Sequence, residues 1–167
     1  KGFEITPQQY REFNRPVYAS SVAELSETEI ARVVRNALAE DKASADITTQ
    51  AIFASPARAA GRIFVKGDAV VSGVNVALHT FRYFDQGMQF QVEATDGDLL
   101  KAGATVFRFN GDIRAVLRAE RVALNFLAFM SSIATRTHRV QQIANRYGVR
   151  VLDTRKTLPM LRAVSKY

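Results

Sequence analysis

Cysteine is absent from all 167 residues, which excludes disulfide frameworks, thiolate-bound zinc and cysteine nucleophiles. A reducing compartment is thereby allowed. No apolar run approaches the ~18 residues of a membrane-spanning helix, and no leader pattern occupies the polar stretch from Lys1 to Arg15, so a cytoplasmic protein is expected with no membrane partner. Internal repeats and low-complexity linkers are also missing. Acidic residues are outnumbered, 16 Asp plus Glu against 23 Lys plus Arg, and the resulting +7 suits nucleic acid or anionic metabolites while remaining ordinary for a soluble protein. The two histidines, His79 and His138, read as structural or surface groups.

What is present is enough apolar residue, 47%, to bury one large core or two small ones. The pattern is mixed. Thr6-Pro7 with Gln9 predicts a short helix, and Ser26 with Glu29 forms a capping box before an apolar face of Ile30, Val33, Val34, Ala37 and Leu38. From Gly61 onward "GRIFVKGDAVVSG" predicts two short strands, "VNVALHTFRYF" a helix with Val74, Ala77, Leu78, Phe81 and Phe84 inward, and "QFQVEAT" and "ATVFRFN" two more strands. After Asn110-Gly111 two helical stretches are expected, roughly 112–129 and 131–147, followed by a strand "VRVLDT" covered on both faces. The domain boundary is placed near Gly111, giving 1–111 and 112–167.

Two places gather candidate chemistry. On the helix "DIRAVLRAERVALNFLAFM", Arg114, Arg118, Arg121 and Asn125 fall within a sector of roughly 60°, and the remainder is apolar enough to predict extensive burial. Glu120 lies inside that apolar arc, where a carboxylate needs an arginine or backbone N–H partner. At the carboxyl end of the expected strand stand Asp153, Thr154, Arg155 and Lys156, where α/β folds collect ligand-binding groups. A guanidinium fork suits a carboxylate and a compact ammonium suits a phosphate. Read without further context, the three arginines are equally a solvated stripe, and Arg155-Lys156 a solvated basic pair.

"ERVALNFLAFMSSIAT" and "DTRKTLPMLRAVSKY", with "AEDKASADITT" and "GDLLKAGATVFRFNG" upstream in the same order, resemble the quinolinate phosphoribosyltransferase family over roughly residues 25 to 167. Four positions depart from the family pattern: Ala45, Ser132 and Met160 stand where glycine is usual, and Ser165 where an acid or glutamine is common. The resemblance implies an α/β fold: an N-terminal α+β open-faced sandwich, then the start of an incomplete α/β barrel. It implies condensation of quinolinate with 5-phosphoribosyl 1-diphosphate, assisted by Mg2+, to nicotinate mononucleotide, diphosphate and CO2. Arg121 then matches an arginine that reaches the quinolinate site of a neighbouring subunit in a homodimer or higher homo-oligomer. Arg155 matches the barrel arginine that binds a quinolinate carboxylate, Lys156 the catalytic and substrate-binding lysine facing both substrates, and Thr154 joins the substrate-binding group. No metal ligand is assigned within the chain. The family's further barrel strands would follow Tyr167, so the chain is expected to correspond to the N-terminal part of such an enzyme and to be inactive alone.

Three alternatives stand beside this reading. A same-fold paralogue could use another pyridine or base. A swinging-arm carrier would modify Lys42, but Lys42 directly follows an amphipathic helix instead of occupying a hairpin tip. A nucleic-acid-binding module would use Arg114, Arg118 and Arg121, although no reader motif or aromatic-interleaved basic run accompanies them, and no nucleic-acid partner is expected.

Overall fold

The computed structural model describes residues 25–167, and the helix expected at Thr6-Pro7 lies outside them. Helix α1 (Glu27–Glu40) starts at the expected capping box: the Ser26 hydroxyl accepts from the Glu29 N–H, and the Glu29 carboxylate accepts from the Ser26 N–H. Its buried residues Ile30, Val33, Val34 and Leu38 recur at helical spacing. A 3₁₀ turn (Ala43–Ala45) and helix α2 (Ile47–Ile52) follow, with the Asp46 carboxylate capping α2 by accepting from the Thr49 N–H. The Thr49 hydroxyl, and after it that N–H contact, hold the Asp46 carboxyl below its usual pKa.

Strands β1 (Arg58–Phe64), β3 (Gln89–Val92) and β5 (Thr105–Asp112) form an antiparallel sheet in the order β1-β5-β3, while β2 (Ala69–Val70) pairs with β4 (Leu99–Leu100). Alternation along β5 sends Phe107 and Phe109 inward and Arg108 and Asn110 outward. Gly61 faces Phe109 in the β1–β5 register, and a Cβ there would lie 2.4 Å from the ring tip, so only glycine lets the ring lie over β1. On the inner face, helix α3 (Val74–Arg82) brings Phe81 against Phe90, Phe107 and Phe109. The outer face carries Arg58, Arg62 and Arg108, which makes the sandwich open on one side. The expected mixed α/β fold therefore stands.

Three expectations change. The two helices after Gly111 are one, α4 (Ile113–Asn145), of 33 residues. At the expected break, Ser131 exchanges hydrogen bonds with the Ser72 backbone, and Thr135 one turn later does so with Val70. These hydroxyls bind the neighbouring β2 segment, so they do not interrupt the helix. Secondly, "VRVLDT" forms no strand. Val149 and Leu152 are exposed, and the Gln141 amide takes the place of a strand neighbour, donating to Val149 O and accepting from Val151 N. A strand requires a ladder, and no neighbour supplies one among the described residues. Thirdly, the apolar arc of α4 is wider than the core it meets. Ala119, Val122, Ala123, Phe126 and Met130 are buried, but Leu117, Glu120, Leu124 and Ala128 face outward, so Glu120 needs no buried partner.

Helix α5 (Arg162–Lys166) is preceded by Met160 at φ 67, a left-handed conformation, at a position where the resembling family has glycine. Met160 is 65% exposed, so packing does not offset the strain. Met160→Gly is expected to stabilise the fold by about 0.5–1 kcal/mol, the left-handed penalty being partly cancelled by glycine's unfolded-state entropy. Urea unfolding measures it; an unchanged or lowered midpoint would show that the strain is absent. Among the described residues, no helix is long and apolar enough to cross a membrane.

Candidate functional site

Arg114, Arg118 and Arg121 of α4 have separate tasks. Arg114 closes the helix start: Asp112 is the N-cap, and Arg114 Nη2 donates to its carboxylate at 2.9 Å. This bond, opposed by desolvation and helped by the Arg114 N–H, holds the Asp112 carboxyl below its usual pKa. Arg118 packs inward, with its guanidinium carbon 5.9 Å from the Phe84 ring centroid and its Nε buried without a hydrogen-bond partner. Arg121 points outward. Its side chain is 74% exposed, and Nη1 donates to Asp41 Oδ1 at 3.2 Å.

Asp41 is the residue that the sequence reading passed over. It is the C-cap of α1, its backbone N–H donating to Ala37 O while that of Lys42 donates to Ala39 O, and its side chain is 20% exposed. An acid is unfavourable at a helix C-terminus, and here Glu40 and Asp41 lie together with no basic residue in the last turn. That misplaced pair was a signal available in the sequence. Glu40, Asp41, Val122, Asn125 and Leu161 line a cavity of about 390 Å3 beside Arg121.

Arg155 and Lys156 lie on the exposed segment after α4. The chain bends there because the Thr154 hydroxyl accepts from the Lys156 N–H at 3.1 Å, while Asp153 is bonded to Lys166 and the Arg155 carbonyl accepts from Arg162. Neither the Arg155 guanidinium nor the Lys156 ammonium has an acidic partner among the described residues. Thr154 thus shapes the bend through its hydroxyl. Arg121 shares no hydrogen bond and no cavity wall with Arg155 or Lys156 among the described residues, so the chain presents two cationic sites and does not join them.

Other candidates have structural settings. His79 lies between Asn75 O and Glu27 Oε2, at 2.9 and 2.6 Å, and ties α3 to α1. Lys42 adopts φ 54 immediately after α1, so it lies in a helix-to-turn junction and not at a hairpin tip. A cavity of about 610 Å3 between the β1–β2 turn and α4 has Lys66, Arg136 and Arg139 among its walls but none of the residues above.

Residues 46–131 match the family model described as "Quinolinate phosphoribosyl transferase, N-terminal domain", and residues 133–167 match its C-terminal domain. A probable nicotinate-nucleotide pyrophosphorylase (carboxylating) of Synechocystis is 38% identical over 130 residues, 78% of this chain and 44% of that protein. One from Bacillus subtilis, with the same description, is 29% identical over 143 residues, 86% of this chain and 49% of the relative. Among solved structures, the nicotinate-nucleotide pyrophosphorylase from Francisella tularensis aligns with a TM-score of 0.82 at 30% identity, covering 89% of this chain and 52% of that one. The chain spans about half the length of the curated relatives it matches.

Proposed function

This chain belongs to the quinolinate phosphoribosyl transferase family, and on that premise we propose that it contributes to a de novo NAD-forming pentosyltransferase that joins quinolinate to 5-phosphoribosyl 1-diphosphate. The products are nicotinate mononucleotide, diphosphate and CO2. The observation that carries this reading is the adjacent Arg155 and Lys156, whose charges are without acidic partners among the described residues, in a stretch that binds Asp153 to Lys166. Quinolinate brings two neighbouring carboxylates and the donor several phosphate charges, so two anions must be held against their repulsion. Cations at the site offset it.

In this scheme Arg155 forks onto a quinolinate carboxylate and turns the ring nitrogen toward the anomeric carbon of the sugar, while Lys156 stabilises charge on the departing diphosphate. The C–N bond forms as the C–O bond to diphosphate breaks. The resulting pyridinium then accepts the electron pair left at ring carbon 2 as CO2 departs, and a proton replaces it; no protein nucleophile takes part. A magnesium ion would supply further neutralisation of phosphate charge. Among the described residues no three carboxylate or histidine groups converge on one point, and we propose that the ion comes with the donor.

Arg121 is proposed to act across a homodimer interface, with residues to 111 forming the N-terminal domain and those from 112 opening the barrel. The exposed Leu117 and Leu124 beside it, unusual on an amphipathic helix, support a partner on this face. A cytoplasmic setting fits a cysteine-free chain. In the full-length protein, Arg121→Ala is expected to weaken quinolinate binding by about 1.5–3 kcal/mol, the worth of a charge-assisted bond. Calorimetric titration checks it, and unchanged affinity overturns the role. Mixing Arg121→Ala subunits with Arg155→Ala subunits is expected to restore about one working site per dimer if Arg121 serves the neighbour; no recovery would put it in its own subunit's site.

A further inference from the structure

We infer that Asp41 is a positioning residue for substrate recognition, holding the Arg121 guanidinium aimed before the carboxylate arrives; this rests on the role proposed for Arg121. An arginine that is 74% exposed explores many rotamers, and each must be given up when it binds a ligand. The Asp41 carboxylate reduces that loss. It is fixed between two elements, at the C-cap of α1 through its backbone and on α4 through Arg121 Nη1 at 3.2 Å, although the two residues are 80 positions apart. The donor inventory leaves room for substrate: one N–H of Nη1 faces Asp41, and the remaining four on Nη1, Nη2 and Nε stay available to a planar carboxylate.

The local cost of this arrangement supports a function beyond capping. A carboxylate opposes the α1 dipole, Glu40 repeats the penalty, and Lys42 must take φ 54 to turn the chain immediately afterwards. An exposed ion pair rarely compensates for such terms. The geometry is consistent with a side chain kept for the direction it imposes on Arg121, with the α1–α4 contact as a rigid mount. Asp41 itself has no reason to touch the anionic substrate, which it would repel.

The test is a double-variant cycle on the full-length protein, with steady-state KM for each substrate and kcat. Asp41→Ala, or Asp41→Ser if the alanine variant does not fold, is expected to raise the quinolinate KM roughly tenfold, about the worth of one charge-assisted bond, with the donor KM unmoved. Asp41→Asn keeps an acceptor for Nη1 and is expected to recover most of that loss. Combined with Arg121→Ala, the Asp41 change is expected to add nothing further, because its only route is through the missing guanidinium. Penalties that multiply in the double variant, or a donor KM that moves equally, make Asp41 merely structural and overturn the inference while leaving Arg121's role intact. If Arg121→Ala alone leaves the quinolinate KM unchanged, the premise fails and the inference with it.

Discussion

Lys156→Ala in the full-length protein is expected to lower kcat by about 10²–10³-fold, the scale seen when one preorganised electrostatic stabiliser of a transition state is removed. The ammonium is exposed and has no acidic partner among the described residues, and the backbone N–H of the same residue is tied to Thr154, so the bend that presents it survives truncation of the side chain. Binding changes should be smaller than the turnover change, because in the proposed reaction charge on diphosphate grows as the bond breaks. Arg155→Lys gives the contrast. It keeps the charge but loses the planar fork, and it is expected to raise the quinolinate KM more than the donor KM. Steady-state kinetics with each substrate varied in turn separates the two. If both constants move together, or activity falls only with loss of folded protein, the pair is structural and the assignment of Arg155 and Lys156 fails.

Phe81→Ala is expected to destabilise the fold by about 3–5 kcal/mol. Phe81 is fully buried, and its ring stacks on Phe109 with centroids 5.6 Å apart and meets Phe107 at 6.1 Å and Phe90 at 6.2 Å. Removing it opens a cavity that the sheet cannot close, since β5 is paired on both sides and Phe109 already lies over Gly61. For a chain of this size the loss corresponds to a fall in Tm of roughly 6–20 °C. Leu99→Ala, at a residue 60% exposed, should change stability by less than about 0.5 kcal/mol. Thermal unfolding of both variants checks the assignment, and equal small shifts would show that the aromatic cluster is not the centre of the core.

The split between what could be read in the chain and what could not follows the range of the interactions involved. Ser26 and Glu29 satisfy each other within one turn, and the periods of Ile30 to Leu38 and Phe107 to Phe109 report which face is buried. Such features are legible because the partners lie a few residues apart. The cationic motif residues were also legible, as residue types: Arg121, Arg155 and Lys156 could be chosen from "ERVALNF" and "DTRKT" before their surroundings were seen.

The tertiary structure decided everything that depended on a distant partner. Ser131 and Thr135 bond to Ser72 and Val70 across the place where two helices were expected to meet, and there α4 runs on as a seam with the β2 segment. Leu117 and Leu124 remain exposed because the core beneath α4 is narrower than its apolar arc, and "VRVLDT" forms no strand because it meets no ladder partner among the described residues. Met160 shows the same limit from the backbone side, since its left-handed φ is imposed by the turn into α5 and not by its own preference. By itself the sequence determined the family pattern, the local elements and the charges available for chemistry. Only the folded chain, by bringing Asp41 to Arg121 across 80 residues, decided which of those charges is held in place and which is left free, because electrostatic pairing depends on separation in space and carries no signature in the separation along the chain.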